Sequence, residues 1–290
     1  MKPFAAALAF AVLVLPSIAR AQVPAADQMA AGKKVYRRVC EECHGRDGHG
    51  DGEKARSLGF RARDFARSAF KCRCTPSGAL PTDDDLLRTV ERGLPGTPMT
   101  AQADLAPDER MAVVAYVKTL APRFASESAP SCIAMPEAPA ANSSAVDEGR
   151  VLYRLLGCHK CHGASGAADG PSAATLVDDW GNPIKVHNFV RSGKFKCGGE
   201  PSDLYRTLHT GMNGSPMPSF TAAFAFARED IGELAPIAAL FGADGADEAR
   251  RYLDREPDRQ GMAALEPKAR QTLVERRTWS LVAYLRSLAQ

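Results

Sequence analysis

The sequence predicts an all-α fold made of two tandem domains, and three observations lead to this prediction. Apolar residues recur at the spacing of helix turns near the start and the end of each half of the chain. A pattern of cysteine and histidine occurs twice, at an offset of 118 residues. Between the two copies, a stretch rich in Ala, Pro and Ser shows neither a helical nor a strand period and is expected to be a linker.

The composition excludes several classes of protein. The chain has 290 residues, 45% of them apolar and 24% charged, which is typical of a globular protein and not of a disordered, collagen-like or polytopic membrane chain. A net charge of +3 gives no reason to expect nucleic-acid binding. Eight cysteines are unusual, and composition alone leaves open a disulfide scaffold, a metal protein and a thiol enzyme.

The N-terminus has the features of a cleavable signal peptide at residues 1–21. Lys2 precedes an apolar stretch over residues 4–18, and Ala19-Arg20-Ala21 supplies the small-x-small pattern of a signal-peptidase site. The alternative is a retained anchor, but the apolar stretch is short for a membrane span. We therefore expect a periplasmic protein with no transmembrane anchor in its mature form, in a compartment where disulfides can form.

The repeated pattern is Cys-x-x-Cys-His, at residues 40–44 and again at residues 158–162. A segment rich in Gly and Pro follows each copy and ends at Met99 or Met217, so the last histidine and this methionine are 55 residues apart in both copies. Each copy closes with a similar Val-Ala-Tyr segment, which in the second copy comes after about 50 extra residues. This arrangement indicates a tandem duplication.

Each half is expected to begin with a helix that leads into its Cys-x-x-Cys-His motif and to end with another helix. Pro107 followed by Asp108 and Glu109 is a typical helix start, because acidic side chains favour the positive end of the helix dipole. The segments around Met99 and Met217 are predicted to be loops. The positions expected on buried helix faces are, in chain order, Met29, Tyr36, Val39, Val113, Tyr116, Val117, Leu120, Gly149, Tyr153, Leu281, Tyr284, Leu285 and Leu288.

Cys-x-x-Cys-His is the attachment signature of c-type haem. Its two thiols can each form a thioether with a haem vinyl group, and the adjoining histidine is then placed as the proximal iron ligand. Other uses of paired cysteines fit less well, because a zinc site needs its four ligands close together and a thioredoxin-like site needs a βαβ context. The predicted thioether residues are Cys40, Cys43, Cys158 and Cys161.

These motifs resemble those of the cytochrome c family, specifically a periplasmic diheme cytochrome with two class I-type domains. The resemblance covers nearly the whole mature chain and includes a Gly-x3-Tyr pattern before each cysteine motif. It implies two covalently bound haem c groups, with His44 and Met99 as the axial iron ligands of one haem and His162 and Met217 as those of the other. A methionine thioether favours ferrous iron, so this ligand pair raises the reduction potential.

The duplication also gives the expected domain organisation. Residues 22–122 would form the first cytochrome c-like domain, residues 123–145 the linker, and residues 146–290 the second domain. A helical insert is expected at about 219–270 in the second domain.

Four further cysteines, Cys72, Cys74, Cys132 and Cys197, allow three disulfide pairings. A bridge between Cys72 and Cys74 would span only one residue and strain the geometry. Cys132 and Cys197 are therefore the favoured partners of Cys72 and Cys74. We expect structural disulfides, one of them tying the linker through Cys132 to a domain. The alternative is that one of the four is a redox-active thiolate or an iron ligand, as in diheme thiosulfate dehydrogenases.

Several other residues in the two copies have roles that the motifs do not assign. The repeated Arg67 and Arg191 could hold haem propionates, whereas Met212, which aligns with Leu94, is expected in the core. Basic residues cluster near the first haem motif. They would form either a solvated helix face or a docking surface for an acidic redox partner. These residues are Lys33, Lys34, Arg37, Arg38, Arg61, Arg63 and Arg67. Four histidines without a counterpart are expected at the surface or beside the ligands: His49, His159, His187 and His209.

The favoured function is that of an electron-transfer protein with no catalytic residues, carrying single electrons between a donor dehydrogenase or quinol-oxidising complex and an acceptor. Its expected partners are redox proteins, including a membrane-bound complex. Nucleic acid is not expected to be a partner. Two alternatives remain open at this point. One is a diheme oxidoreductase similar to a thiosulfate dehydrogenase or a peroxidase, and the other is a haem subunit of a larger dehydrogenase.

Overall fold

A computed structural model of the chain describes residues 25–140, 142–192 and 194–289. Within these ranges the regular structure is helical, and extended pairing is limited to one isolated bridge between Val177 and Pro183. The predicted all-α fold class is therefore confirmed. The signal peptide expected at residues 1–21 lies outside the described residues.

The described residues of the first half form five α-helices, and the first and the last of them occupy the segments predicted to be helical. Pro107 stands at the start of the fifth helix, as expected from its fixed backbone angle. The methionine segment lies between the last two helices and carries no helix, as the sequence predicts. The helices are α1 (Ala25–Val39), α2 (Glu41–His44), α3 (Glu53–Ser57), α4 (Asp83–Arg92) and α5 (Pro107–Thr119).

The second half repeats this order and adds helices before its last one. Its first helix begins at Ser143, inside the range 123–145 expected for the linker, because Asn142 caps its N-terminus by accepting from the Ala145 amide. The helices are α6 (Ser143–Leu155), α7 (His159–His162), α8 (Phe189–Ser192), α9 (Pro201–Thr210), α10 (Ala235–Leu253), α11 (Arg259–Ala264) and α12 (Pro267–Ser287).

In each half the first and last helices cross at a glycine. Helix α1 packs on α5 at Gly32, where a Cβ would collide with the carbonyl oxygen of Ala112. Helix α6 packs on α12 at Gly149, where a Cβ would collide with the carbonyl oxygen of Ser280. The glycine of the Gly-x3-Tyr pattern is thus required by close helix packing, since any side chain there would push the two helices apart.

The insert of the second half is helical, as predicted. Helix α10 consists of two segments that meet at Gly242, whose φ of 74° ends the first segment. It packs on the outer side of α6. Fully buried Arg277 on α12 pairs with Glu256 and donates to the carbonyl oxygens of Phe224 and Phe226, which fastens the insert to the last helix.

Covalent and polar contacts join the two halves. Cys72 is bonded to Cys197, and Cys74 is bonded to Cys132 in the segment between the halves. The guanidinium of buried Arg73 donates to the carbonyl oxygens of Thr210 at 2.5 Å and Gly211 at 3.4 Å. Because these contacts cross between the halves, the two faces that meet are held in one arrangement.

None of the helices in the described ranges combines the length and the apolar run that crossing a bilayer requires.

Candidate haem-binding sites

Both Cys-x-x-Cys-His motifs lie on a short helix directly after the first helix of their half. In the first half a tyrosine fixes the turn that follows: Tyr36 of α1 donates from its hydroxyl to the carbonyl oxygen of Gly45 at 2.7 Å. Tyr153 of α6 donates to Gly163 at the same distance. The same buried contact therefore positions both motifs, which explains the tyrosine of the Gly-x3-Tyr pattern.

The four motif cysteines are half-buried free thiols, and the two cysteines of each motif lie about one helical turn apart. Burial raises the pKa of Cys40 to about 11 and that of Cys158 to about 12, with a smaller contribution from the neighbouring motif cysteine. Neither thiol is therefore poised as a thiolate nucleophile at neutral pH. This property fits attachment residues better than it fits the active thiol of a redox enzyme.

The two motif histidines are oriented in the same way. His44 donates from Nδ1 to the carbonyl oxygen of Arg63, and His162 donates from Nδ1 to the carbonyl oxygen of His187, both at 3.0 Å. Burial lowers the pKa of each imidazole, which keeps the rings neutral. With Nδ1 occupied by this bond, the Nε2 lone pair of each ring is left available for a metal.

An aromatic ring stacks on each of these histidines. The ring centroids of His44 and Phe65 are 4.6 Å apart, and those of His162 and Phe189 are 4.5 Å apart. Both phenylalanines donate from their backbone amides to a glycine that follows the cysteine motif, at 2.7 and 2.9 Å. The stacked ring and the carbonyl acceptor together hold each imidazole in one orientation, as a preorganised metal ligand requires.

The two methionine loops are closed by equivalent hydrogen bonds. The amide of Leu94 donates to the carbonyl oxygen of Met99 at 2.9 Å, and the amide of Met212 donates to that of Met217 at 3.0 Å. Each loop begins at a glycine with a φ of 65°, a value that favours residues without a Cβ. The repeated Gly and Pro residues thus give both methionines the same backbone setting.

One cavity of about 1660 Å³ joins the two halves, which exceeds the roughly 300–1,000 Å³ of an ordinary small-molecule site. Its walls bring together all eight residues predicted to bind haem. These residues are Cys40, Cys43, His44, Met99, Cys158, Cys161, His162 and Met217. Two pairs of free thiols, two neutral imidazoles with available Nε2 atoms and two thioethers in one large cavity fit covalently attached haem.

The structure corrects several sequence expectations about other residues. Met212 is half-buried in the cavity wall with Leu94 instead of lying in the core. Arg191 is exposed and is absent from the described cavity wall, while Arg67 lines the cavity but donates to Asp64. The pair Arg67 and Arg191 therefore does not form a repeated propionate site.

Two of the four unmatched histidines are buried, not at the surface. His209 bonds through its two ring nitrogens to the hydroxyls of Thr221 and Thr278, which makes it a satisfied core residue. His159 lies against the ring of Phe241 from the insert. His187 and His49 line the cavity, and His187 takes the place that Arg63 has in the first half.

The four remaining cysteines form structural disulfides, as expected. The bridge between Cys74 and Cys132 ties the linker to the first half, and the amide of Ile133 donates to the carbonyl oxygen of Cys74 beside it. With Cys72 and Cys197 also paired, none of the four is a free thiolate or a ligand for iron. The alternative that one of them has such a role is therefore wrong.

The sequence analysis did not assign a role to Lys71 and Lys196. Both line the cavity, and each precedes one cysteine of the disulfide that joins the halves. The signal that identifies them is the Phe-Lys-Cys sequence, which occurs once in each copy at residues 70–72 and 195–197.

The helical fold and the Cys-x-x-Cys-His motif in its cavity wall define a c-type cytochrome, which binds haem covalently. In agreement with this, residues 27–117 match the family model described as Cytochrome C oxidase, cbb3-type, subunit III. No curated protein sequence matches the chain.

A solved structure resembles the chain over nearly its whole length. It is a chain of the Kuenenia stuttgartiensis reducing HAO-like protein complex Kustc0457/Kustc0458, with 32% sequence identity and a TM-score of 0.68. The match covers 90% of this chain and 96% of that chain. The present chain therefore belongs to the same family as that chain of the complex.

Proposed function

We propose that the protein is a periplasmic diheme cytochrome c that carries single electrons between a donor, either a dehydrogenase or a quinol-oxidising complex, and an acceptor. The observation that carries this proposal is that the two sets of cysteine, histidine and methionine side chains predicted to bind haem line one cavity. When bound, haem iron takes up and releases one electron by changing between its ferric and ferrous states.

The nature of the ligands favours electron transfer over catalysis. His44 and Met99 would fill both axial positions of one iron, and His162 and Met217 those of the other. An iron with two protein ligands offers no open position to a substrate such as a peroxide. The rigid setting of both histidines also limits the rearrangement that accompanies a change of charge.

The shared cavity supports a relay within the chain. Because both ligand sets open into the same space, electrons would pass from one haem to the other without crossing solvent. The insert covers the second motif, where Phe241 packs on His159, whereas the first motif carries the half-exposed Glu41 at the equivalent position. This difference favours exchange with a partner at the first haem.

A periplasmic location is supported by the signal-peptide pattern at residues 1–21 and by the two disulfides. Disulfides persist in oxidising compartments such as the periplasm, which is also where c-type haem proteins of this kind would meet their redox partners.

A second candidate function is that of a subunit in a larger complex. The observation that favours it is that the similar chain belongs to a complex described as reducing HAO-like, and that the match spans 96% of that chain. We propose that this chain in the same way associates stably with a larger redox protein. Affinity purification from native cells in gentle buffer tests this proposal. A stoichiometric partner that stays bound through size-exclusion chromatography would support the role of a complex subunit, whereas a lone monomer would support the role of a mobile electron carrier.

One experiment tests the principal proposal. The protein is produced with its own leader in cells that mature c-type cytochromes, and the intact mass and the pyridine haemochrome spectrum give the number of covalent haems. A redox titration followed optically, repeated under carbon monoxide, then reports on the iron ligands. We expect two haems that both refuse carbon monoxide. A single haem would contradict the diheme proposal, and ready binding at one haem would favour an oxidoreductase of the thiosulfate dehydrogenase or peroxidase type.

A further inference from the structure

Three cationic side chains from the two halves converge on the cavity. Arg63 and Lys71 come from the first half and Lys196 from the second, and all three are half-buried in the cavity wall. Arg63 crosses to the second half, where its guanidinium lies 5.7 Å from the ring centroid of Trp180. A Cβ placed on Gly214 would be 3.3 Å from Nη1 of Arg63.

The disulfide keeps the two lysines together. Lys71 precedes Cys72 and Lys196 precedes Cys197, and the Cα atoms of the bonded cysteines are 5.2 Å apart. Burial lowers the pKa of Lys71 to about 8, and the charges of Lys196 and Arg63 add to this effect. Burial and Arg63 lower the pKa of Lys196 in the same way. The three positive charges thus repel one another in a place that the covalent bond does not let them leave.

Nothing in the described part of the protein compensates this repulsion by direct contact. The side chains of Lys71 and Lys196 form no hydrogen bond or ion pair with the described residues, and Arg63 contacts Trp180 through its ring face only. Asp178, Asp64 and Asp179 act on Arg63 electrostatically without an ion pair to it, and Asp178 accepts hydrogen bonds from the Trp180 amide and from Asn182. In contrast, Arg67 at the same cavity donates to Asp64.

Unpaired cations that are half-buried in a cavity wall are costly, so their presence there indicates an anionic ligand. Haem c carries two propionate carboxylates, and charge-assisted hydrogen bonds to lysine and arginine are the strongest contacts available to such groups. Both ligand sets open into the cavity that these cations line, and the cations come from both halves of the chain.

We propose that Arg63, Lys71 and Lys196 form one anion site between the two halves, which binds propionate carboxylates of both haems. This proposal rests on the diheme function proposed above. Because one cluster serves two haems, each of its charges acts on both irons. The site therefore couples the two reduction potentials to each other and to the geometry that the Cys72–Cys197 bridge maintains.

The test uses the full holoprotein with Lys71→Met or Lys196→Met, substitutions that keep the length and apolar volume of the side chain and remove its charge. Controls are Lys33→Met and Lys268→Met, one in each half, both exposed and outside the described cavity wall. Potentials of both haems are obtained from optical redox titrations fitted with two one-electron steps. Resonance Raman bands of propionate bending report directly on hydrogen bonding to the carboxylates.

Loss of a positive charge favours ferric iron. We therefore expect each cavity substitution to raise the ferric-to-ferrous ratio of both haems about tenfold at a fixed applied potential. This change corresponds to a fall of about 59 mV in the reduction potential of each haem. The propionate bands should shift as well, and Lys71→Arg and Lys196→Arg should restore both signals. The two control substitutions should leave the propionate bands unchanged and move the potentials much less.

Three results would overturn the proposal. The first is a shift in reduction potential that is confined to one haem, and the second is a shift no larger than that of the controls. The third is a change in the propionate bands or potentials of the unaltered protein when inorganic phosphate is added, which would identify a site for a free oxyanion instead. If a methionine variant does not mature, Lys71→Gln or Lys196→Gln, which also removes the charge, is measured against the same controls, and unchanged potentials and propionate bands in it contradict the site. Intact mass distinguishes failure of the diheme function from failure of the shared site. One haem per chain contradicts the diheme function, whereas two haems with unchanged potentials in the charge-removing variants contradict only the shared site.

Discussion

Cys72 and Cys197 are bonded to each other across 125 residues of sequence, although they occupy equivalent positions in the two copies of the repeat. The bridge therefore lies where the two copies face each other. Arg73, the next residue, adds hydrogen bonds to Thr210 and Gly211 of the opposite half. The relative placement of the two halves is thus fixed at a point that also borders the haem cavity.

Replacement of this bridge by Cys72→Ser with Cys197→Ser should lower the free energy of unfolding by about 2–5 kcal/mol, because the unfolded chain is no longer constrained by a long loop. We also expect the single thermal transition to separate into two, since the halves then unfold more independently. Calorimetry of the holoprotein measures both effects. The matched control is Cys74→Ser with Cys132→Ser, which frees the linker but should leave one transition. A double variant of Cys72 and Cys197 with unchanged stability would show that the noncovalent contacts alone join the halves.

The three cavity methionines should behave differently when replaced. Met99→Ala and Met217→Ala each remove a proposed axial ligand, so we expect one haem to bind carbon monoxide and its potential to fall. Met212→Leu is the control, because Met212 lines the same cavity and belongs to the same loop as Met217 without being a proposed ligand. Optical titrations with and without carbon monoxide distinguish these cases. Binding of carbon monoxide by the Met212 variant alone would reassign the ligand of the second haem.

Gly149→Ala should destabilise the second half by at least 1–3 kcal/mol, since the new methyl group would meet the carbonyl oxygen of Ser280 where α6 crosses α12. Gly232→Ala is the control, because a Cβ at Gly232 meets no atom within 4 Å in the described structure. Chemical denaturation followed by circular dichroism measures both variants. Equal stability of the two would mean that the helices separate without cost, contrary to the packing described above.

Buried His209 should make the stability of the protein fall in mild acid. Burial lowers its pKa to about 4 in the folded protein, against about 6.5 for an unfolded chain. Between these values the unfolded state binds the extra proton, so stability decreases as the pH falls from about 6.5 towards 4. His209→Gln should flatten this dependence in denaturation series taken across that range. The exposed His49 serves as the control, and a His49→Gln variant that flattens the curve equally would point to another cause.

Much of the site could be predicted from the sequence because its chemistry is local. The cysteine pairs and their histidines lie within five consecutive residues, so residues 40–44 and 158–162 identify the attachment positions without any knowledge of the fold. The tyrosine and glycine before each motif also follow from helix spacing. Their partners, the carbonyl oxygens of Gly45 and Ala112, emerge only from the packed helices.

The pairing of the other cysteines illustrates the opposite case. Spacing excluded a bridge between Cys72 and Cys74, but it could not choose between the remaining two arrangements. The choice depends on which surfaces of the two halves meet, and this is decided by contacts such as that of Arg73 with Thr210. The same is true of Lys71 and Lys196, because charges more than a hundred residues apart have no relationship in sequence until the halves are packed together.

The amino-acid sequence alone was enough to predict the all-α class, the repeated cysteine and histidine motif, and the cysteines, histidines and methionines that line the cavity. Helix periodicity and short motifs specify these features through interactions between residues that are near neighbours in the chain. Three features became visible only in the packed structure: both sets share one cavity, Cys72 bonds to Cys197, and three cations lie beside them. These features depend on how the surfaces of the two halves fit together, which is set by packing and charge between residues distant in sequence.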